Sequence, residues 1–144
     1  EFMKQAGKIA KQIIDCFKKG NKVLIFGNGG SLADASHFAA EFHRIGPVIA
    51  LNDPAKITSI GNDENFNRIF LVQLIDMGQA GDIAIGLSSS GNSPNVNLAL
   101  ERAKNTGMIS IDFPRKGKTT QEVQNYQYYM LHAIFLLVKK GMNK

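Results

Sequence analysis

Four short runs of the 144-residue chain, Lys22–Phe26, Pro47–Leu51, Asp82–Leu87 and Met108–Asp112, are apolar through most of their length instead of alternating strictly between apolar and polar. A strand that is apolar on both faces is buried on both faces, the condition of a parallel sheet with helices above and below it. The segments between the runs supply those helices. Residues 3–19 carry Ile9, Ile13, Ile14 and Phe17 at helical spacing with lysines between them, and stop at Gly20-Asn21. Ser31–Arg44, Phe66–Met77, Pro94–Asn105 and Glu122–Lys140 follow. Gly78 closes the third helix; the fourth has Ser93 as N-cap, Pro94 at its first position and Gly107 just past its end. The expected fold is α/β: an open, doubly wound parallel sheet flanked by helices and folded as a single domain. Ligands of such sheets sit outside the carboxyl ends of the strands.

Composition removes several function classes. At 44% hydrophobic and 20% charged residues the chain is an ordinary globular one. No apolar run of about 18 residues exists, so a membrane span is not expected. Glu1–Cys16 has lysines spread through it and no apolar core, unlike a secretory signal. The single cysteine, Cys16, excludes an internal disulfide and a cysteine-based metal cluster. A reducing, cytoplasmic setting is the expectation. Seventeen Lys and Arg against 12 Asp and Glu give +5, but the lysines gather near the two ends without interleaved aromatics, so no nucleic-acid partner is expected.

Two loops at strand ends carry the chemistry. In Phe26-Gly27-Asn28-Gly29-Gly30-Ser31, glycines let backbone N–H groups approach an anion at a helix N-terminus. A tight βα turn capped by Ser31 would read the same way. A dinucleotide site, with Asp53 on the ribose, would need a further glycine where Leu32 stands, so no nucleotide cofactor is expected. The second loop, Leu87-Ser88-Ser89-Ser90-Gly91-Asn92-Ser93-Pro94, packs four hydroxyls and an amide into six residues, a donor set suited to phosphate; a serine-rich capping turn is its plainer reading. No lysine follows in the manner of a nucleotide-triphosphate loop. Together the loops point to one phosphorylated small molecule.

On the Ser31–Arg44 helix, Ala35, Phe38, Ala39 and Phe42 make the sheet-facing stripe, and Asp34, His37, Glu41 and Arg44 lie opposite, where a solvated face is the usual outcome. The last helix is apolar nearly all round from Met130 to Val138 with His132 inside it, which reads as burial on most sides and a core histidine. Gln124, Tyr128 and His132 form one i, i+4, i+8 row.

Gly27–Ser31, the stretch from Asp34 through His37 to Glu41, the Ile60-Gly61-Asn62-Asp63 turn and Ser88–Asn95 occur in order, and with them the chain resembles a SIS (sugar isomerase) domain of the phosphoheptose isomerase group. The resemblance runs from about residue 22 to 112 and resumes in the final helix. It implies a flavodoxin-like three-layer sandwich and conversion of sedoheptulose 7-phosphate to D-glycero-D-manno-heptose 7-phosphate, at the start of the heptose pathway of bacterial lipopolysaccharide. It also implies a homotetramer with active sites at subunit contacts, so that a second subunit would roof the His37/Glu41 face. An aldose–ketose isomerase needs a base at carbon and an acid/base at the oxygens. The resemblance puts Glu41 and His132 in those roles. It puts Ser88, Ser89, Ser90 and Ser93 on the phosphate, and Asn28, Gly29, Ser31, Asp63 and Gln124 on the sugar. Some members bind zinc, and the matching positions here are His37, Glu41, Gln124 and His132. A regulatory SIS protein, binding a sugar phosphate or the bacterial replication initiator without catalysis, is the alternative.

The sequence departs from the family at two joints. Only two residues join Arg44 to Pro47, and Asp112 leads almost directly to Thr119-Thr120, omitting an expected helix and strand. These joints, near 45–46 and 117–118, read as residues absent from this sequence or as a real deletion. The helix that precedes residue 3 in relatives is also missing, and Glu1-Phe2 before Met3 reads as a cloning remnant.

Overall fold

The computed structural model describes residues 1–144. Its elements run α1 (Phe2–Lys18), β1 (Val23–Gly27), α2 (Gly30–Glu41), β2 (Val48–Ala50), α3 (Pro54–Asp63), a 3₁₀ turn (Phe66–Arg68), α4 (Ile69–Met77), β3 (Ile83–Leu87), α5 (Pro94–Asn105), β4 (Ile109–Asp112) and α6 (Thr120–Gly141). The four strands form one parallel sheet in the order β2-β1-β3-β4. The chain winds outward to β2 on one side of β1 and to β3 and β4 on the other. The crevice where the winding reverses lies between the ends of β1 and β3, which is where the two loops are.

Side chains alternate across β1 and build a core on each face. Val23 and Ile25, with Ile83, Ile85 and Leu87 of β3, pack against α1, α2 and α6. Leu24, Phe26 and Ala84 pack against α4 and α5. β1 and β3 are buried throughout, as two-sided strands must be. β2 and β4 are the edges and leave Ile49 and Ile109 partly open.

Several boundaries differ from the sequence reading, among them the start of the Phe66–Met77 helix: Phe66–Arg68 is a 3₁₀ turn and the α-helix begins at Ile69. The Ile60–Asp63 segment is the last turn of α3, a helix that the sequence reading did not include; it buries no residue fully, and Ile57 and Ile60 are its contacts with the second core. Its start is written in Asp53-Pro54: the Asp53 carboxylate accepts the Ala55 N–H at 3.0 Å, which occupies the residue that a ribose would have needed. α2 stops at Glu41, and Arg44 takes a left-handed φ of 67° in the turn beyond it. α6 begins at Thr120 because Thr119 and Glu122 form a capping box. Within the single chain, α6 keeps an open face. Met130, Leu131, Ile134 and Val138 are buried, but Tyr129 and Leu136 are 64% and 62% exposed, and His132 is half-buried instead of lying in the core.

Candidate active site

The loop after β3 is folded round its own hydroxyls. Ser88, 4% exposed, accepts the Gly91 N–H on Oγ at 3.0 Å, and its Oγ lies 3.2 Å from that of Ser93 and 3.5 Å from that of Ser90. Ser90 Oγ accepts the Asn92 N–H at 3.0 Å. Gly91 turns the chain at φ +75°, and the Arg115 guanidinium lies where a side chain would stand, 2.9 Å from an added Cβ. Arg115 is held by Asp112 through two bonds of 2.6 and 3.0 Å, and this pairing raises its pKa above the ordinary value. Ser93 occupies the N-cap position of α5, but its hydroxyl does not cap the helix and is turned toward Ser88. The loop therefore gathers its hydroxyls at the N-terminus of α5, a donor set suited to an anion.

The first loop meets it across the crevice. Asn28 and Asn95 exchange two side-chain bonds, each 2.9 Å, so the Asn28 amide expected on the sugar is engaged with Asn95 at the start of α5. Gly29 is the N-cap of α2 at φ +56°, and Ser31 is buried in the first turn. Asp63 lies exposed at the end of α3 with its carboxylate accepting from Asn62 at 3.2 Å. Gly30 lets α6 approach, since a Cβ there would collide with the Gln124 amide.

From that approach the α2/α6 seam runs outward. Burial raises the Asp34 carboxyl above its ordinary value, against the opposing pull of the Gln124 amide and of His37 and His132. Farther along, Glu41 Oε1 lies 3.7 Å from His132 Nδ1 and 4.0 Å from His37 Nε2. One ligand atom from each of His37, Glu41 and His132 falls within 4.8 Å of the others. Two imidazoles and a carboxylate at that spacing fit a divalent ion of zinc's character. Gln124 stands two helical turns before His132 with its amide against Gly30, so the seam gathers three of the four residues that the resemblance named as ligands. Within the chain, α6 flanks the His37/Glu41 face through His132 and Tyr128 and leaves it partly open.

Three residues of this region went unassigned by sequence reasoning. Asp34 sits beside Gln124. The buried Gln127 donates to the carbonyls of Ser88 at 3.4 Å, Phe113 at 3.4 Å and Pro114 at 3.2 Å, tying α6 to the ends of β3 and β4. Tyr128 brings its hydroxyl to 3.4 Å from His37 Nδ1. The i, i+4, i+8 row containing Tyr128 was the one available signal. Wider grooves run along α1, but the acid–base groups gather in this shallower seam.

A parallel sheet wound in this order, with a hydroxyl-rich loop at its switch point, places the chain among SIS domains. The SIS domain family model matches residues 3–113. The phosphoheptose isomerase of Fusobacterium nucleatum subsp. nucleatum is 39% identical over 165 aligned positions, covering 99% of this chain and 85% of that protein. That of Trichlorobacter lovleyi is 39% identical with the same coverage of both. Among solved structures, phosphoheptose isomerase GmhA from Neisseria gonorrhoeae superposes with a TM-score of 0.88 at 30% identity over 95% of this chain and 86% of that one. A phosphoheptose isomerase from Francisella tularensis gives 0.87 at 27% identity, over 94% and 85%. The chain belongs to the SIS domain family, in its phosphoheptose isomerase group, and is an isomerase.

Proposed function

We propose that the chain interconverts sedoheptulose 7-phosphate and D-glycero-D-manno-heptose 7-phosphate through an enediol. The observation that carries this reading is the approach of Glu41 to His132 at the far end of a seam that begins beside the phosphate-suited loops. At about 1.5 Å of rise per residue, His37 lies roughly 10 Å along α2 from Gly30. That span is comparable with an extended seven-carbon chain, so phosphate at one end would bring C1 and C2 to the carboxylate–imidazole pair at the other.

Glu41 removes a proton from C1 of the ketose and returns it to C2. His132 takes the proton from the C1 hydroxyl and supplies one to the oxygen at C2, so the product is an isomer with no net gain or loss. Ser88, Ser89, Ser90 and Ser93 hold the phosphate, and Gly29, Ser31, Asp63 and Gln124 contact the sugar. Asn28 acts on it through the loop that its bonds to Asn95 hold in place. His37, Glu41 and His132 would hold zinc, with Gln124 completing the set on the family pattern. Zinc bound there would supply Lewis-acid polarisation of the substrate's carbonyl.

The working form is a homotetramer in the cytoplasm. The exposed Tyr129 and Leu136 of α6, and the absence of any buried residue on α3, support association with other copies. The free thiol of Cys16 supports a reducing compartment. The joints near 45–46 and 117–118 are where this single domain is shorter than its relatives; alignment over 165 positions against 144 residues supports such gaps.

The test is incubation with sedoheptulose 7-phosphate followed by proton NMR for the aldose. An aldose phosphate should form from the phosphorylated ketose and far more slowly from free sedoheptulose. Folded protein that forms none would overturn the proposal.

A further inference from the structure

The two ring nitrogens of His37 face different partners. Nε2 is turned to Glu41 at 4.0 Å, and Nδ1 lies 3.4 Å from the hydroxyl of Tyr128. The Tyr128 ring also lies close to parallel with the His37 imidazole, at 22° and 5.9 Å between centroids, and edge-on to His132 at 89° and 4.5 Å. One side chain thus touches both imidazoles of the cluster.

A neutral imidazole carries a single proton, so a nitrogen that offers its lone pair leaves the proton on the other. If His37 presents Nε2 to an ion shared with Glu41 and His132, Nδ1 carries hydrogen and needs an acceptor. A phenol oxygen can accept it, and its rotor can donate instead when the proton moves to Nε2. Ligating histidines are oriented by such outer partners, whose loss weakens metal binding.

We propose that Tyr128 is a positioning residue for this cluster: its hydroxyl accepts the Nδ1 proton of His37 and keeps Nε2 free for zinc, while its ring holds the His132 imidazole edge-on. The role rests on the reading of His37, Glu41 and His132 as a zinc site. Tyr128 acts through the histidines and needs no contact with the sugar.

The decisive variant is Tyr128→Phe, which keeps the ring and removes the hydroxyl, compared with His37→Ala. Zinc affinity is measured by competition with a chromophoric chelator. Nitrogen-15 spectra of His37 in the zinc-loaded wild-type protein give the tautomer. The expected result is about 10- to 100-fold weaker zinc binding in Tyr128→Phe, with the metal-free variant unfolding near the wild-type temperature, and a protonated Nδ1 on His37 in the wild type. Unchanged affinity in Tyr128→Phe alongside its loss in His37→Ala overturns the role of the tyrosine and leaves the zinc site standing. An unprotonated Nδ1 in the loaded wild type overturns that role even if the phenylalanine variant fails to fold. Wild-type protein that binds zinc no better than His37→Ala removes the zinc site and this role together.

Discussion

Glu41 Oε1 lies 3.7 Å from Nδ1 of His132 across the α2/α6 seam, and both residues belong to one chain. In an oligomer of Glu41→Gln and His132→Ala subunits, every such seam lacks one group. Mixed oligomers, formed under proven subunit exchange, should therefore be no more active than the two parents. Recovery toward wild-type activity would mean that the functional pair is formed between chains.

The serine loop should act on binding more than on chemistry. Ser90 is exposed, and its Oγ accepts the Asn92 N–H at 3.0 Å. Ser90→Ala should raise KM several-fold while kcat falls less, because ground state and transition state share the phosphate contact. Steady-state kinetics on sedoheptulose 7-phosphate check this; a collapsed kcat at unchanged KM would put Ser90 in the chemistry.

At the opposite end of the sheet, Asp82 is 1% exposed. Burial alone would raise its pKa, but Lys22 Nζ at 2.7 Å, the Asn21 amide at 2.9 Å and the N–H groups of Lys22 and Gln79 hold it below the ordinary value. A carboxyl lower in the folded than in the unfolded chain adds stability that is complete above its unfolded value of about 3.9 and fades as pH falls through the folded one. Denaturant unfolding should accordingly lose stability below about pH 4. In Asp82→Ala that acid-dependent loss should shrink, with about 2–3 kcal/mol lost at pH 7. An equal acid response in both proteins would remove Asp82 from this account.

Cys16 should be inert in the folded protein. Burial, then the nearby Asp82 charge, pushes its thiol up to about 11. Since the thiolate is the reactive form, a thiol reagent at pH 8 should label Cys16 only slowly until denaturant is added. Fast labelling of the native protein would contradict the buried position.

What the sequence made legible follows from the range of the interactions involved. Two-sided apolar runs such as Val23–Phe26 and Ile83–Leu87 announce their burial locally, and the glycine and serine loops sit beside them, so the doubly wound sheet and its ligand end could be read directly. α3 escaped because its apolar stripe is short, Ile57 and Ile60 one turn apart and only partly buried; its Asp53-Pro54 start was the other signal. The end of α2 was overrun because Phe42 continues the apolar stripe one residue past the last helical turn. The Asn28–Asn95 exchange and the Tyr128–His37 contact join residues far apart in the chain, and no local pattern announces such a pair. His132 looked like a core residue because its sequence neighbours are apolar, whereas in the fold they cover it only in part.

The most direct measurement of the central claim is turnover of wild-type protein and Glu41→Gln side by side on sedoheptulose 7-phosphate, with substrate binding measured in both. Wild type should form the aldose phosphate, and the variant should bind the ketose comparably while turning over at least about two orders of magnitude more slowly. Equal turnover in the two proteins, or a folded wild type that forms no aldose phosphate, would contradict it.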